Sequence, residues 1–96
     1  MIVQPTTIVG RTERVFSTPV DDGIVILNPD RDNFIGLEKV GLVVWELIAT
    51  PCAVSEICRA VGERFEATQD RIEADVSAFI AEMVAEGVVR VIGPGF

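Results

Sequence analysis

The chain has 96 residues, 49% hydrophobic and 24% charged, a composition that fits one ordinary globular domain rather than a disordered segment. A net charge of −7 argues against a polyanion partner, and two cysteines with no histidine cannot supply the ligands of a zinc site or the usual base of a nucleophile. No apolar run approaches the roughly 18 residues that span a bilayer, and MIVQPTTIVG lacks the basic start of a signal peptide, so the chain is expected in the cytoplasm and off the membrane.

Residues 1–13 are poorly patterned and predict a partly ordered arm of a single domain over 1–96. A short strand over 14–19 is expected to stop at Pro19. Asp21-Asp22-Gly23 is a turn signal, and the β-branched run 24–27 has strand length. The polar reversal 28–32 leads into a third strand, residues 33–37. Three such strands make an antiparallel meander too small to stand alone. The third turns at Glu38 and Lys39 directly into a helix over 39–49. Val40, Val43, Val44, Leu47 and Ile48 form its apolar stripe, broadened by Leu42 and Trp45. Thr50-Pro51 stops that pattern.

A second helix is predicted over 54–65, with apolar positions at 54, 57, 58, 61 and 65, which makes Cys58 a core residue; Cys52 falls in the preceding turn. Thr68 is placed as the N-cap of a third helix with Asp70 in its first turn. Its core stripe is Ile72, Val76, Phe79, Ile80, Met83 and Val84, and Gly87 is the expected residue just past its end. Residues 88–92 can add a short strand before the Gly-Pro-Gly tail. The predicted class is α+β: a winged helix-turn-helix-like arrangement in which a three-stranded antiparallel sheet is followed by three helices.

Catalysis is not predicted. Glu73 and Asp75 cannot share a helical face at a spacing of two, Glu82 and Glu86 read as a solvated pair, and no Gly-rich phosphate loop is present. No metal or cofactor is expected. Helix-turn-helix topology raises the question of DNA, but the outward positions of the third helix hold one arginine among several acids, which opposes a phosphate backbone.

Two features point elsewhere. Residues 33–37 close the meander, so one edge of that strand is either taken by the N-terminal arm or left open to a partner strand. The third helix also carries Ala74, Ala78, Ala81 and Ala85 away from its core stripe, which leaves room for bulky groups from outside or simply faces solvent. Together they predict a groove for an extended peptide. Asn33, Phe34, Ile35, Gly36 and Leu37 would provide the ladder, and Arg71, Ala74, Asp75, Ala78 and Glu82 the side-chain contacts.

The runs NFIGLEKVGLVVWELI, VSEICRAVGERF and DRIEADVSAFIAEMVAEGVV are similar to the PqqD-like family, also called the RiPP recognition element. Gly36-Leu37, Trp45 and Gly87-Val88 stand in the family's order and spacing; Glu38 and Ile35 depart from its commoner asparagine and second aromatic. The resemblance covers residues 15–91. It implies a non-catalytic module that takes the leader segment of a ribosomally made precursor as an added strand and presents it to modifying enzymes. For a free-standing acidic copy it implies a lasso-peptide pathway, with a leader peptidase and a cyclase as partners. The nearest sibling is the chaperone of the PQQ-cofactor pathway, whose partner is a radical-SAM enzyme.

Overall fold

The structure, a computed structural model, describes residues 3–94. The expected meander is there: β2 (Phe16–Val20), β3 (Gly23–Asn28) and β4 (Asn33–Leu37) form an antiparallel sheet in that order. Its register sets Ser17, Ile26 and Ile35 in one row and Phe16, Leu27 and Phe34 in the next. Because Ile26 is fully buried, the first row faces the core and the second faces outward. β2 runs on through Pro19 to Val20 rather than stopping at the proline. It is an edge strand, where a missing N–H costs no ladder bond. Gly23 has a packing reason, since a Cβ there would collide with the Leu37 carbonyl oxygen.

The N-terminal arm is a correction. Residues 7–11, expected within a partly ordered arm, form β1 (Thr7–Arg11), the middle strand of a second antiparallel sheet. Its neighbours are β5 (Cys52–Ala53) and β6 (Val89–Pro94), giving the order β5-β1-β6. Val9 at its centre is fully buried. Residues 1 and 2 of the expected arm, and the last residues of the Gly-Pro-Gly tail, lie outside the described residues. With β1 committed to that second sheet, the described part of the arm does not pair with β4.

The helices are α1 (Val40–Leu47), α2 (Val54–Arg64) and α3 (Gln69–Ala85). Val43, Val44, Trp45 and Ile48 of the first, Val54, Ile57, Cys58 and Val61 of the second, and Ile72, Val76, Ile80 and Met83 of the third meet Ile26, Val9 and Val88 in one core. The result is an α+β domain with three helices.

The ends of α3 follow the sequence signals. Thr68 Oγ1 accepts the Arg71 N–H at 3.2 Å, as an N-cap should. At the other end Gly87 adopts φ +82°, its N–H donates to the Val84 carbonyl and that of Val88 to the Met83 carbonyl. This is a Schellman cap, in which a positive φ suits glycine. No basic residue sits in the last turn of α3, so the β3–β4 hairpin supplies the donors. Arg31 Nη1 reaches the Ala85 carbonyl at 2.7 Å, and Asn28 Nδ2 lies 3.5 Å from those of Glu86 and Gly87.

The end of α1 is capped from the second sheet. Ala49 bonds back to Glu46 rather than Trp45, which leaves the Trp45 carbonyl free, and Arg11 of β1 donates to it through Nε at 3.1 Å and Nη2 at 2.6 Å. The same guanidinium lies 4.3 Å from the centre of the Trp45 ring. Burial lowers the Arg11 pKa and Glu46 raises it, and the group remains a cation. Arg11→Ala is therefore expected to cost about 1–3 kcal/mol, from an orphaned carbonyl and a lost cation–π contact, as read by urea denaturation. Arg11→Lys should restore only part of it, because an ammonium cannot fork onto the carbonyl while lying flat on the ring.

Candidate functional site

β4 pairs with β3 on one side, and among the described residues no main chain pairs its other side. Its open edge lies alongside α3, and the two are tied at both ends. Near the start of β4, Asn33 Nδ2 donates to Glu86 Oε2 at 3.0 Å, beside the hairpin bonds to the helix C-terminus. Past its end, Leu37 and the Phe79 ring converge on Gly41, where an added Cβ would sit 3.5 Å from the leucine and 3.2 Å from the ring. Between these ties no backbone bond joins strand and helix.

The spacing on α3 then decides which residues face the strand. Asp75, Phe79, Glu82 and Glu86 follow one another at four, three and four residues, so they form one strip of the helix, and two of its members make the ties just described. Arg71 and Ala78 flank that strip. Ala74 lies a row further round, nearly opposite the buried Val76. Four of the five helix residues expected to make contacts thus lie on or beside the β4-facing strip, and Ala74 does not.

Half-buried hydrophobic side chains line the same region: Ile35 on the inner side of β4, Val40 at the start of α1, Phe65 after α2, and Phe79. Val40 and Phe65, with Thr68, Arg71 and Asp75, enclose a hollow of about 490 Å³ at the N-terminal end of α3. Val40, Phe65 and Phe79 were not among the expected contact residues. Phe79 was expected in the core stripe, but the buried stripe is Ile72, Val76, Ile80 and Met83, and Phe79 stands at its margin with part of its ring open. A stripe position and a groove position one residue apart on a helix look alike in sequence.

Polar chemistry here is modest. Arg71 Nε and Asp75 Oδ2 are 3.1 Å apart, but the side chains are 72% and 58% exposed, so the pair contributes only a few tenths of a kcal/mol to folding. Both partners keep capacity for polar groups of a ligand. Burial, with Glu56 beside Cys52 and Glu73 beside Cys58, raises both thiol pKa values, which leaves them protonated and weakly nucleophilic at neutral pH. Among the described residues, no group of three or more potential metal ligands comes together.

The arrangement of an open strand edge beside a helix can be compared with known proteins. The family described as Coenzyme PQQ synthesis protein D (PqqD) matches residues 23–89, well over half of the chain. The chain belongs to the PqqD family. The match begins at β3 and ends at the first residue of β6, so it takes in β4, all three helices and every residue placed around the groove. Two solved structures are similar. TbiB1, in complex with the TbiA(beta) leader peptide, superposes with a TM-score of 0.79 at 22% identity, over 84% of this chain and 94% of that one. The PqqD truncation of Methylobacterium extorquens PqqCD, described as a functional and stand-alone RiPP recognition element, gives 0.73 at 21% identity, over 92% and 94%. At that identity these two establish the fold. No curated protein matches the chain.

Proposed function

We propose that this PqqD-family chain is a non-catalytic recognition element that captures the leader segment of a ribosomally synthesised precursor peptide. The leader adds as a strand along the open edge of β4, with Asn33, Phe34, Ile35, Gly36 and Leu37 as the ladder. Its side chains on the inner side lie against Arg71, Asp75, Ala78 and Glu82 of α3 and reach the half-buried Ile35, Val40, Phe65 and Phe79. The observation that carries this reading is the unpaired edge of β4 beside a helix strip tied to it at both ends. Main-chain ladder bonds would supply affinity without regard to sequence, and the pockets would choose the sequence. The complex of TbiB1 with a leader peptide and the description of the Methylobacterium extorquens protein support the same reading.

The captured precursor is presented to modifying enzymes in the cytoplasm. A leader peptidase and a cyclase of a lasso-peptide pathway are the first candidates, and a radical-SAM enzyme of a PQQ-type pathway the second. Mixing the chain and its precursor with each enzyme class, and following precursor mass, separates them: the right enzyme is accelerated by this chain. The chain and precursor alone should show no change in mass; cleavage or modification by pure protein would contradict the non-catalytic role.

DNA binding is disfavoured by the surface of α3, where Asp70, Glu73, Asp75 and Glu82 are exposed around Arg71. No retardation of duplex DNA is expected at micromolar protein and low salt. A shift that weakened steeply with added salt would favour a winged-helix DNA-binding regulator instead.

A further inference from the structure

The sheet β2–β3–β4 has a second face that nothing in the described chain covers. Phe16, Leu27 and Phe34 run across it in one row, and Thr18, Val25 and Gly36 in the next. Phe16 is 63% exposed and Phe34 73%, although phenylalanine belongs among the residues most often buried. An apolar row of this kind on an uncovered sheet face marks an interaction site or a solubility liability. The sequence pattern did not single it out, because alternation along β3 and β4 gives two apolar faces, only one of which the helices take.

At the β2–β3 turn this face dips into a depression of about 420 Å³. Val20, Val25 and Gly36 of the outer face, with Ile24 and Leu37 at the sheet's end, contribute its apolar part, Asp21, Asp22 and Glu38 its charge, and no basic residue lines it. A Cβ on Gly36 would meet nothing within 4 Å, so the glycine leaves open space at the surface. Among the described residues none of the three carboxylates takes part in an ion pair. Apolar floor and anionic rim complement a lysine or arginine side chain, whose aliphatic stem covers the floor while its head meets the acids.

The geometry points to a docking surface on this outer face for a second protein, one that presents an apolar patch edged by a lysine or arginine. Resting on the leader-capture reading, we assign that partner as the modifying enzyme to which the precursor is presented. The two surfaces are compatible. A leader would occupy the open edge and inner side of β4, whereas the enzyme would cover the outer side of the same sheet, so capture and presentation can coexist. Charge selects a basic partner over a second copy of this chain: two copies face to face would bring two acidic rims together in molecules that each carry a net charge of −7.

The test uses full-length chain loaded with its leader and, as probe, the modifying enzyme encoded beside the precursor, immobilised on a sensor surface. Phe16→Ser and Asp22→Lys both lie outside the leader groove, and circular dichroism verifies their fold. Each should weaken enzyme binding about tenfold or more, as loss of an interface anchor does. Leader affinity, read by fluorescence anisotropy, should stay within about twofold, a difference of less than half a kcal/mol. Association of the wild type should slow as salt rises from about 50 to 500 mM, and Asp22→Lys should remove much of that dependence. Unchanged enzyme binding in both variants would overturn the assignment. So would a wild-type dimer in sedimentation that Phe16→Ser converts to monomer, since the face would then belong to a second copy. A wild type that binds leader but no enzyme would also overturn it and leave leader capture standing.

Discussion

Trp45→Ala is expected to lower stability by about 3–5 kcal/mol, the cost of emptying a large aromatic site in a core that cannot fully collapse around it. Trp45 is the largest fully buried side chain among the described residues, part of the one core that also holds Val44, Ile48 and the β3 residue Ile26, and its ring also carries the Arg11 guanidinium. A domain of this size has about 5–15 kcal/mol in total, so the variant should stand near the edge of folding. Each kcal/mol corresponds to about 4–8 °C of melting temperature at this length, which makes the loss plain in a thermal scan. Trp45→Phe should cost much less. It keeps most of the apolar volume and removes a buried indole N–H that has no hydrogen-bond partner among the described residues. A Phe variant as unstable as the Ala variant would mean that the indole itself, through the cation–π contact with Arg11, dominates.

The second large effect concerns the groove. Glu82→Trp is expected to weaken leader binding about a hundredfold, near 2.7 kcal/mol, with little loss of stability. Glu82 is exposed and sits between Phe79 and Glu86 on the strip facing β4, so a large ring there takes the space of an added strand. Ala78→Trp, on the flank, should weaken binding less, and Ala74→Trp, a row further round, hardly at all. Asp75→Arg should cost about tenfold through the polar contacts at the hollow beside Val40 and Phe65. The graded order is the informative result. If Ala74→Trp were as damaging as Glu82→Trp, the leader would meet a different face of α3.

Helices, caps and the meander were legible in the sequence because their causes are local. The apolar period of α2, the Thr68 hydroxyl three residues before Arg71, and Gly87 at a positive φ each act within a few residues. β1 was not legible. Residues 7–11 carry no clear alternation, and their partners are a two-residue strand at 52–53 and a strand at 89–94, so nothing near β1 in sequence announces the pairing. The same holds for the site. β4 as an edge strand could be read from its place at the end of the meander. Which side of α3 faces it could not, because that depends on how Asn28, Arg31 and Asn33 dock the hairpin on the end of a helix more than fifty residues away. The small residues of α3 were a fair signal for room beside the helix but not for direction, and Ala74 was included on that ground.

The most direct test of leader capture by strand addition is amide hydrogen exchange across residues 33–37, measured with and without saturating leader peptide. The free edge of β4 leaves alternate N–H groups of this strand without a main-chain partner, open to solvent exchange. Leader binding should slow exchange at those amides by about a hundredfold or more, and change the outer edge of β2 and the amides of α2 little. Saturating leader that left residues 33–37 unprotected while protecting β2, or α3 alone, would contradict strand addition at β4.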